Sequence, residues 1–259
     1  MNLYDFPGVT LLITHYNRSS SLERLLNSFE NLNCRFNEIV VSDDGSSKDQ
    51  LSYVSQLQQR FGFRLIGSET NHGLGHNLNK GQQAVRSPLT LYVQEDFVPT
   101  ALFPENFKTA ITLLDEDEEL DVIRFYAYFA YPYLKHYKSG YSEMLIKPWQ
   151  LNYKKIYAYS DHPHLRRSSF LQRFGKYAEG IKGDRTEYRM CVSFIQNHGK
   201  GLFFDDFTSL FKQVNSDDEP STMQRSNLTQ SKNPLIKIAR DVYRQIKYNY
   251  DINFYKETK

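Results

Sequence analysis

The sequence predicts an α/β fold: one domain with a mostly parallel central sheet flanked by helices, followed by a C-terminal amphipathic helix. Three observations predict it. Short apolar runs suited to buried strands alternate with stretches of helical spacing between residues 9 and 93. Polar clusters directly follow those runs, where parallel sheets gather their ligands. The chain also ends in apolar residues at helical spacing flanked by Lys and Arg.

Each element has its own signal. Val9–Ile13 is a buried-strand run, and Thr14–Arg18 is a polar turn. Ser19–Ser21 offers an N-cap, with Glu23 placed to face the positive end of the helix marked by Leu22, Leu25, Leu26 and Phe29. Glu38–Ser42 is a second strand and ends in Asp43-Asp44-Gly45-Ser46. Leu51, Val54, Leu57 and Phe61 mark a helix, and Phe63–Ile66 a third strand. Gly73–Val85 reads as a loop and helix, and Leu89–Val93 as a fourth strand running into Gln94-Glu95-Asp96. The pattern then changes: Asp115–Asp121 reads as a solvated acidic turn, Val122–Tyr131 as an aromatic strand, and 131–160 as irregular. Helical spacing returns at Ser168–Phe174 and Thr186–His198, and Asn215–Asn233 reads as a polar loop before a final helix from Pro234.

Composition bounds the function. The 259 residues carry a net charge of +2, too small for a basic nucleic-acid binder. Two cysteines, Cys34 and Cys191, form neither a disulfide framework nor a cysteine-based zinc site. No apolar run reaches the roughly 20 residues that span a bilayer, and the N-terminus lacks a signal-peptide pattern. The expectation is a cytoplasmic protein, soluble or peripheral on the inner face of the cytoplasmic membrane. The near-neutral total conceals an uneven distribution: residues 232–259 contain seven Lys/Arg and three Asp/Glu, hence +4. Such a helix suits an anionic membrane surface, with packing on the protein or on a second subunit as the alternative; the oligomeric state stays open. Aromatic residues make up 15% and are dense at 125–159, for which core packing is one account.

The strand-end clusters carry the chemistry. A carboxylate at Asp43-Asp44-Gly45-Ser46 can accept hydrogen bonds from a nucleobase or ribose, and Gly45 permits the tight turn. Asn71-His72-Gly73-Leu74-Gly75-His76-Asn77 lets backbone amides approach a diphosphate. Acids at Gln94-Glu95-Asp96 suit a hard divalent cation that bridges phosphates.

Thr10–Arg18, Val40–Ser46, Asn71–Asn77 and Leu91–Pro99 stand in the order found in family 2 glycosyltransferases, which the chain resembles closely over residues 8–100 and loosely to 205. The resemblance implies the A-type glycosyltransferase fold and inverting transfer from a nucleotide-diphospho-sugar, most often UDP-linked, to a carbohydrate or lipid-linked glycan in surface polysaccharide synthesis. It divides the chain into a glycosyltransferase domain at 1–214 and a polar loop with a basic helix at 215–259. Within the domain, 1–100 would bind the donor and 101–214 the acceptor. A non-catalytic sugar-nucleotide- or glycan-binding protein on the same fold is the alternative.

By the same resemblance, Tyr16 would stack near the base, with Thr14, Asn17 and Arg18 beside it. Asp43 would read base or ribose, Asp44 would support its turn, and Asn71, Gly73 and Asn77 would belong to the donor loop. Asp96 matches the metal-binding acid, for Mn²⁺ or Mg²⁺, with Glu95 beside it; Gln94 replaces the acid that commonly faces the sugar or ribose. Thr14 stands where Pro is usual, and His15 is another departure. Thr186-Glu187-Tyr188 resembles a Thr-Glu-Asp motif that has lost its last acid, so Glu187 is the first candidate for the general base and Asp184 the second. Trp149, Tyr153, His164 and Arg166 are the candidate acceptor contacts.

Overall fold

Residues 10–14 of the first strand pair on both sides, and that pairing positions everything else. In the computed structural model, which describes residues 3–147, 150–215, 219 and 234–255, β1 (Tyr4–His15) lies parallel to β2 (Cys34–Asp43) and β4 (Leu89–Gln94). The registers place His15 opposite Asp43 and Thr14 opposite Gln94. Three strand ends therefore open at one sheet edge. The connections are helical, as parallel pairing requires: α1 (Ser19–Asn31), α2 (Lys48–Phe61) and α3 (Leu74–Ala84), with β3 (Arg64–Ile66) beside β2.

Beyond β4 the sheet becomes mixed. After β5 (Phe97–Pro99) and α4 (Phe103–Glu116) come β6 (Val122–Arg124), β7 (Leu134–Lys138), β8 (Tyr141–Met144) and a 3₁₀ segment (Tyr153–Ala158). Then follow β9 (His164–Arg167), α5 (Phe170–Phe174), α6 (Gly183–Gln196), β10 (Gly201–Phe204), β11 (Phe211–Gln213) and α7 (Pro234–Phe254). Among the described residues the main sheet has nine strands in the order β3-β2-β1-β4-β9-β6-β10-β8-β7, and β5 pairs separately with β11. β9 is antiparallel to both β4 and β6.

Alternation along the strands feeds a core on each face. Leu11, Ile13, Val41, Leu91 and Val93 pack with Leu22, Leu25, Phe29, Val54, Phe103 and Phe107. Leu12, Val40 and Tyr92 pack with Leu78, Phe170, Met190 and Phe194. Aromatic pairs dominate the first face: Phe103 stacks on Phe107 at 4.8 Å, and Phe107 meets Phe6 edge-on at 4.8 Å. Much of the aromatic excess is thus core, including Tyr131, Tyr141 and Tyr159.

Several elements differ from the sequence reading. The strand expected at 122–131 ends at Arg124, and the 131–160 stretch contains the β7–β8 hairpin. Arg18, not a serine, is the N-cap of α1. The first helical amides are capped from afar: Ser19 N–H donates to Gln50 Oε1, and Ser20 and Ser21 N–H donate to the Glu219 carboxylate at 2.9 and 2.8 Å. Asn215 and Glu219, beyond the expected boundary at 214, thus reach back to the start of the chain.

Candidate active site

A cavity of about 550 Å³ opens at the carboxyl ends of β1, β2 and β4, within the roughly 300–1,000 Å³ typical of ligand clefts. Of the residues singled out from sequence, Thr14, Tyr16, Arg18, Asp44, Asn71, Gly73, Asn77, Gln94, Glu95, Asp96 and Glu187 line it. Residues from both halves of the chain therefore meet in one place.

The two acids after β2 divide their work differently from the expectation. Asp43 is 0% exposed and does not line the cavity. Its carboxylate accepts from His15 Nδ1 at 2.7 Å, from Ser46 Oγ, and from the Gly45 and Ser46 amides at 3.1 and 3.0 Å. Burial acts to raise this carboxyl, but the hydrogen bonds from His15 and Ser46 outweigh it and hold the pKa below the ordinary value. Asp44 is the acid on the cavity wall, where it accepts the His72 and Gly73 amides at 3.1 and 2.7 Å. It thereby fixes the loop ahead of α3, in which Gly73 has φ +89°. Asn77 is clamped by Ser42 Oγ on its Oδ1 and donates to the His15 carbonyl. Asn17, at φ 53°, does not line the cavity; it stitches two loops through Ser46 Oγ and the Ser47 amide.

At the end of β4, Arg18 Nη1 lies 3.2 Å from Glu95 Oε1 and 3.5 Å from Asp96 Oδ2. Burial, then the adjacent Asp96, raise Glu95 to about 7 against the pull of Arg18. β11 brings Gln213, whose Nε2 donates to Asp96 Oδ2 at 2.9 Å. Asp96 Oδ1 is buried and has no hydrogen-bond partner among the described residues. That oxygen fits one coordination position of a divalent ion. Among the described residues no group of three or more His, Cys, Asp or Glu forms a complete cage. The remaining oxygens of an ion held here would have to come from a bound ligand and water.

Glu187 lines the cavity from the first turns of α6. Its Oε1 accepts Ser160 Oγ at 2.7 Å and the Asp161 amide at 3.1 Å. Asp161, which the sequence reading did not single out as a site residue, lines the same cavity. Tyr159 donates to its Oδ1 at 3.0 Å, while Oδ2 is buried without a partner among the described residues. Burial, followed by the Glu187 carboxylate, raises Asp161 to about 8. His162 stands beside it among Phe97, Tyr126 and Tyr128, and burial together with Arg124 lowers it to about 3. His15, noted in the sequence only as a departure within the first motif, also lines the cavity, and Tyr128, Gln213 and Asn215 are further lining residues with no local sequence motif. Tertiary pairing alone brings Gln213 and Asn215 here.

Other candidates lie elsewhere. His164 and Arg166 are both 0% exposed on the central strand β9 and do not line the cavity. Arg166 is held by Tyr177 and by Gln82 Oε1 at 2.7 Å, with its guanidinium over the Phe170 ring, so its work is in the core. An acceptor does not reach either residue in this conformation. The expected contact fails because a polar His-Leu-Arg-Arg run forms an interior strand. Tyr153 packs on Tyr248 and donates to Asp241 Oδ1, which ties down α7 rather than lining the cavity. Asp184 is exposed and outside the lining. Trp149 lies outside the described residues.

Comparison with known proteins agrees with this architecture. Poly-beta-1,6-N-acetyl-D-glucosamine synthase of Staphylococcus aureus (strain COL) is 25% identical over 112 residues, 42% of this chain and 27% of that protein. The chain thus spans about a quarter of that relative's length. The S. aureus TarS 1–349 structure in complex with UDP-GlcNAc superposes with a TM-score of 0.63 at 18% identity, covering 97% of this chain and 68% of TarS 1–349. GalNAc-T7 with UDP, GalNAc and Mn²⁺ gives 0.56 at 14% identity, covering 76% of this chain and 42% of the other. Both share the fold. Residues 10–175, from mid-β1 to the end of α5, match Glycosyl transferase family 2, and the chain belongs to that family.

Proposed function

We propose that this protein transfers a sugar with inversion from a UDP-linked donor, with N-acetylhexosamine as the leading class, to a carbohydrate or lipid-linked glycan in surface polysaccharide synthesis. One observation carries the reading: a single cavity joins the strand-end polar groups, the unpartnered Asp96 oxygen and the Glu187 carboxylate. The donor class is supported by the named substrate or product of the relatives, UDP-GlcNAc on TarS and poly-N-acetylglucosamine for the synthase.

In this reading the nucleotide lies along Thr14, Tyr16, Asp44 and the Asn71–Gly73 loop, with the diphosphate beside Arg18 and Asp96. Mn²⁺ or Mg²⁺, when bound, supplies Lewis-acid neutralisation of the leaving diphosphate, and Asp96 is the residue that would hold it. Glu187 accepts the proton of the acceptor hydroxyl as that oxygen attacks the anomeric carbon in line, and the nucleoside diphosphate departs. Ser160 and the Asp161 amide aim the Glu187 carboxylate.

The same reading places the enzyme on the inner face of the cytoplasmic membrane through α7. No described helix is long and apolar enough to cross a membrane. The support is instead one exposed face: Ile238, Val242, Tyr243, Ile246, Tyr250 and Phe254 are 54–67% exposed. The two acids of this helix, Asp241 and Asp251, are engaged on the body side by Tyr153 and Tyr188. Arg244 and Lys247 are held on that side too, by Tyr153 and by Asp251, so what suits a membrane surface is the outward apolar face of a basic helix.

The transfer reading is tested by a hydrolysis screen of nucleotide sugars with Mn²⁺, which needs no known acceptor. Slow release of UDP from one or more UDP-sugars is expected. Binding of UDP-sugars with neither hydrolysis nor transfer would make the protein a sugar-nucleotide-binding protein instead.

A further inference from the structure

Arg18 is held in place from three directions. Nη1 reaches Glu95 and Asp96, and Nη2 donates to Asn215 Oδ1 at 2.9 Å and to the Glu219 carbonyl at 3.0 Å. Its side chain is 7% exposed, yet it lines the cavity. Its cationic head thus sits against the acidic motif that the family reading assigns to a metal. Asp96 is left with one oxygen near Arg18 and Gln213 and the other unpartnered, so the motif is only half satisfied.

A divalent ion on Asp96 would face the Arg18 guanidinium across the same carboxylate, and like charges at such separation repel strongly where water is scarce. A diphosphate changes the balance. It offers the guanidinium a bidentate anionic partner and offers the ion further oxygens. We propose that Arg18 is a placeholder cation: it occupies the acidic motif when no donor is bound and transfers to the donor diphosphate on binding, so that divalent metal binds well only together with the nucleotide. This rests on the reading of the cavity as the donor site. It extends that reading by making the order of metal and nucleotide binding a property of this residue. By linkage, the factor by which UDP tightens Mn²⁺ binding equals the factor by which Mn²⁺ tightens UDP binding.

The test is Mn²⁺ affinity of the full chain, from the electron paramagnetic resonance signal of free Mn²⁺, with and without UDP. The wild type is expected to bind Mn²⁺ at least about tenfold more tightly with UDP than without. Arg18→Gln is expected to bind Mn²⁺ alone about tenfold more tightly than the wild type, with the UDP effect reduced to match. Asn215→Ala, which removes one restraint on Arg18 and keeps its charge, is expected to show a smaller change in the same direction. It serves as the test if Arg18→Gln does not fold. Equal Mn²⁺ affinities of wild type and variants in the absence of UDP, or no Mn²⁺ binding by any of them, would overturn the inference. If UDP binds in either case, the donor-site reading survives. If UDP fails to bind with and without Mn²⁺, both fall.

Discussion

Glu187 owes its aim to Ser160 and the Asp161 amide, both bonded to the same oxygen, Oε1. A glutamine carbonyl can keep both bonds while losing the ability to take a proton. Glu187→Gln is therefore expected to retain UDP binding, while hydrolysis and transfer fall by about 10²- to 10⁴-fold. Near-normal turnover would remove Glu187 from the role. Its neighbour Asp161 gives a pH signature. With the native pKa raised to about 8 from an ordinary carboxyl value near ~4, the folded state holds the extra proton across that window. The stability this confers is full at low pH and is lost as pH rises through the native pKa. The melting temperature of Asp161→Asn is thus expected to rise relative to wild type as pH increases from about 4 to 8. A constant difference would mean that Asp161 ionises normally in the native state. At this scale the sequence was only partly legible. Asp43 and Asp44 are adjacent and chemically alike, and only the His15 and Ser46 contacts show which is buried structure and which faces the cavity. His164 and Arg166 looked like site residues because the family often has a polar, Pro-containing stretch here before an Arg and a helix, while the buried partners that satisfy Arg166, Gln82 and Tyr177, are 84 and 11 residues away in sequence.

The elements of the first half follow from strong local signals. The apolar runs of β1, β2 and β4 and the helical spacing of α1 and α2 are continuous, and each polar cluster sits where its strand stops. β9 and β10 are four residues each and take their partners from distant strands, so local periodicity could not reveal them. The junction that seats α6 against α3 depends on Gly75. A Cβ there would lie 2.2 Å from the Ala178 carbonyl oxygen and 3.3 Å from Thr186 Cγ2. Gly75→Ala is expected to destabilise the protein by about 1–3 kcal/mol in urea unfolding, with transfer reduced through displacement of Glu187. Unchanged stability would show that the two elements separate freely. For α7 the apolar stripe was legible but its direction was not. The body takes the face bearing Tyr248 and Ile252 and leaves Val242 and Ile246 outward. Val242→Glu with Ile246→Glu is expected to reduce binding to phosphatidylglycerol-containing liposomes at least about tenfold while UDP binding is kept. Unchanged liposome binding would assign the stripe to protein contact.

Across the whole molecule, one edge of the sheet collects groups that are far apart in sequence: Thr14, Asp44, Asp96, Asp161, Glu187 and Asn215 all meet at one cavity. The parallel half brings the donor motifs, and β9, lying antiparallel beside β4, returns the chain so that Asp161 and α6 reach the same place. The proposed function requires this cavity to be the site of a UDP-linked donor. Calorimetric titration of the full chain with UDP in the presence of Mn²⁺ tests it most directly. Saturable binding at one site per chain is the predicted result. Absence of binding to UDP, GDP and dTDP, with and without Mn²⁺, would contradict it.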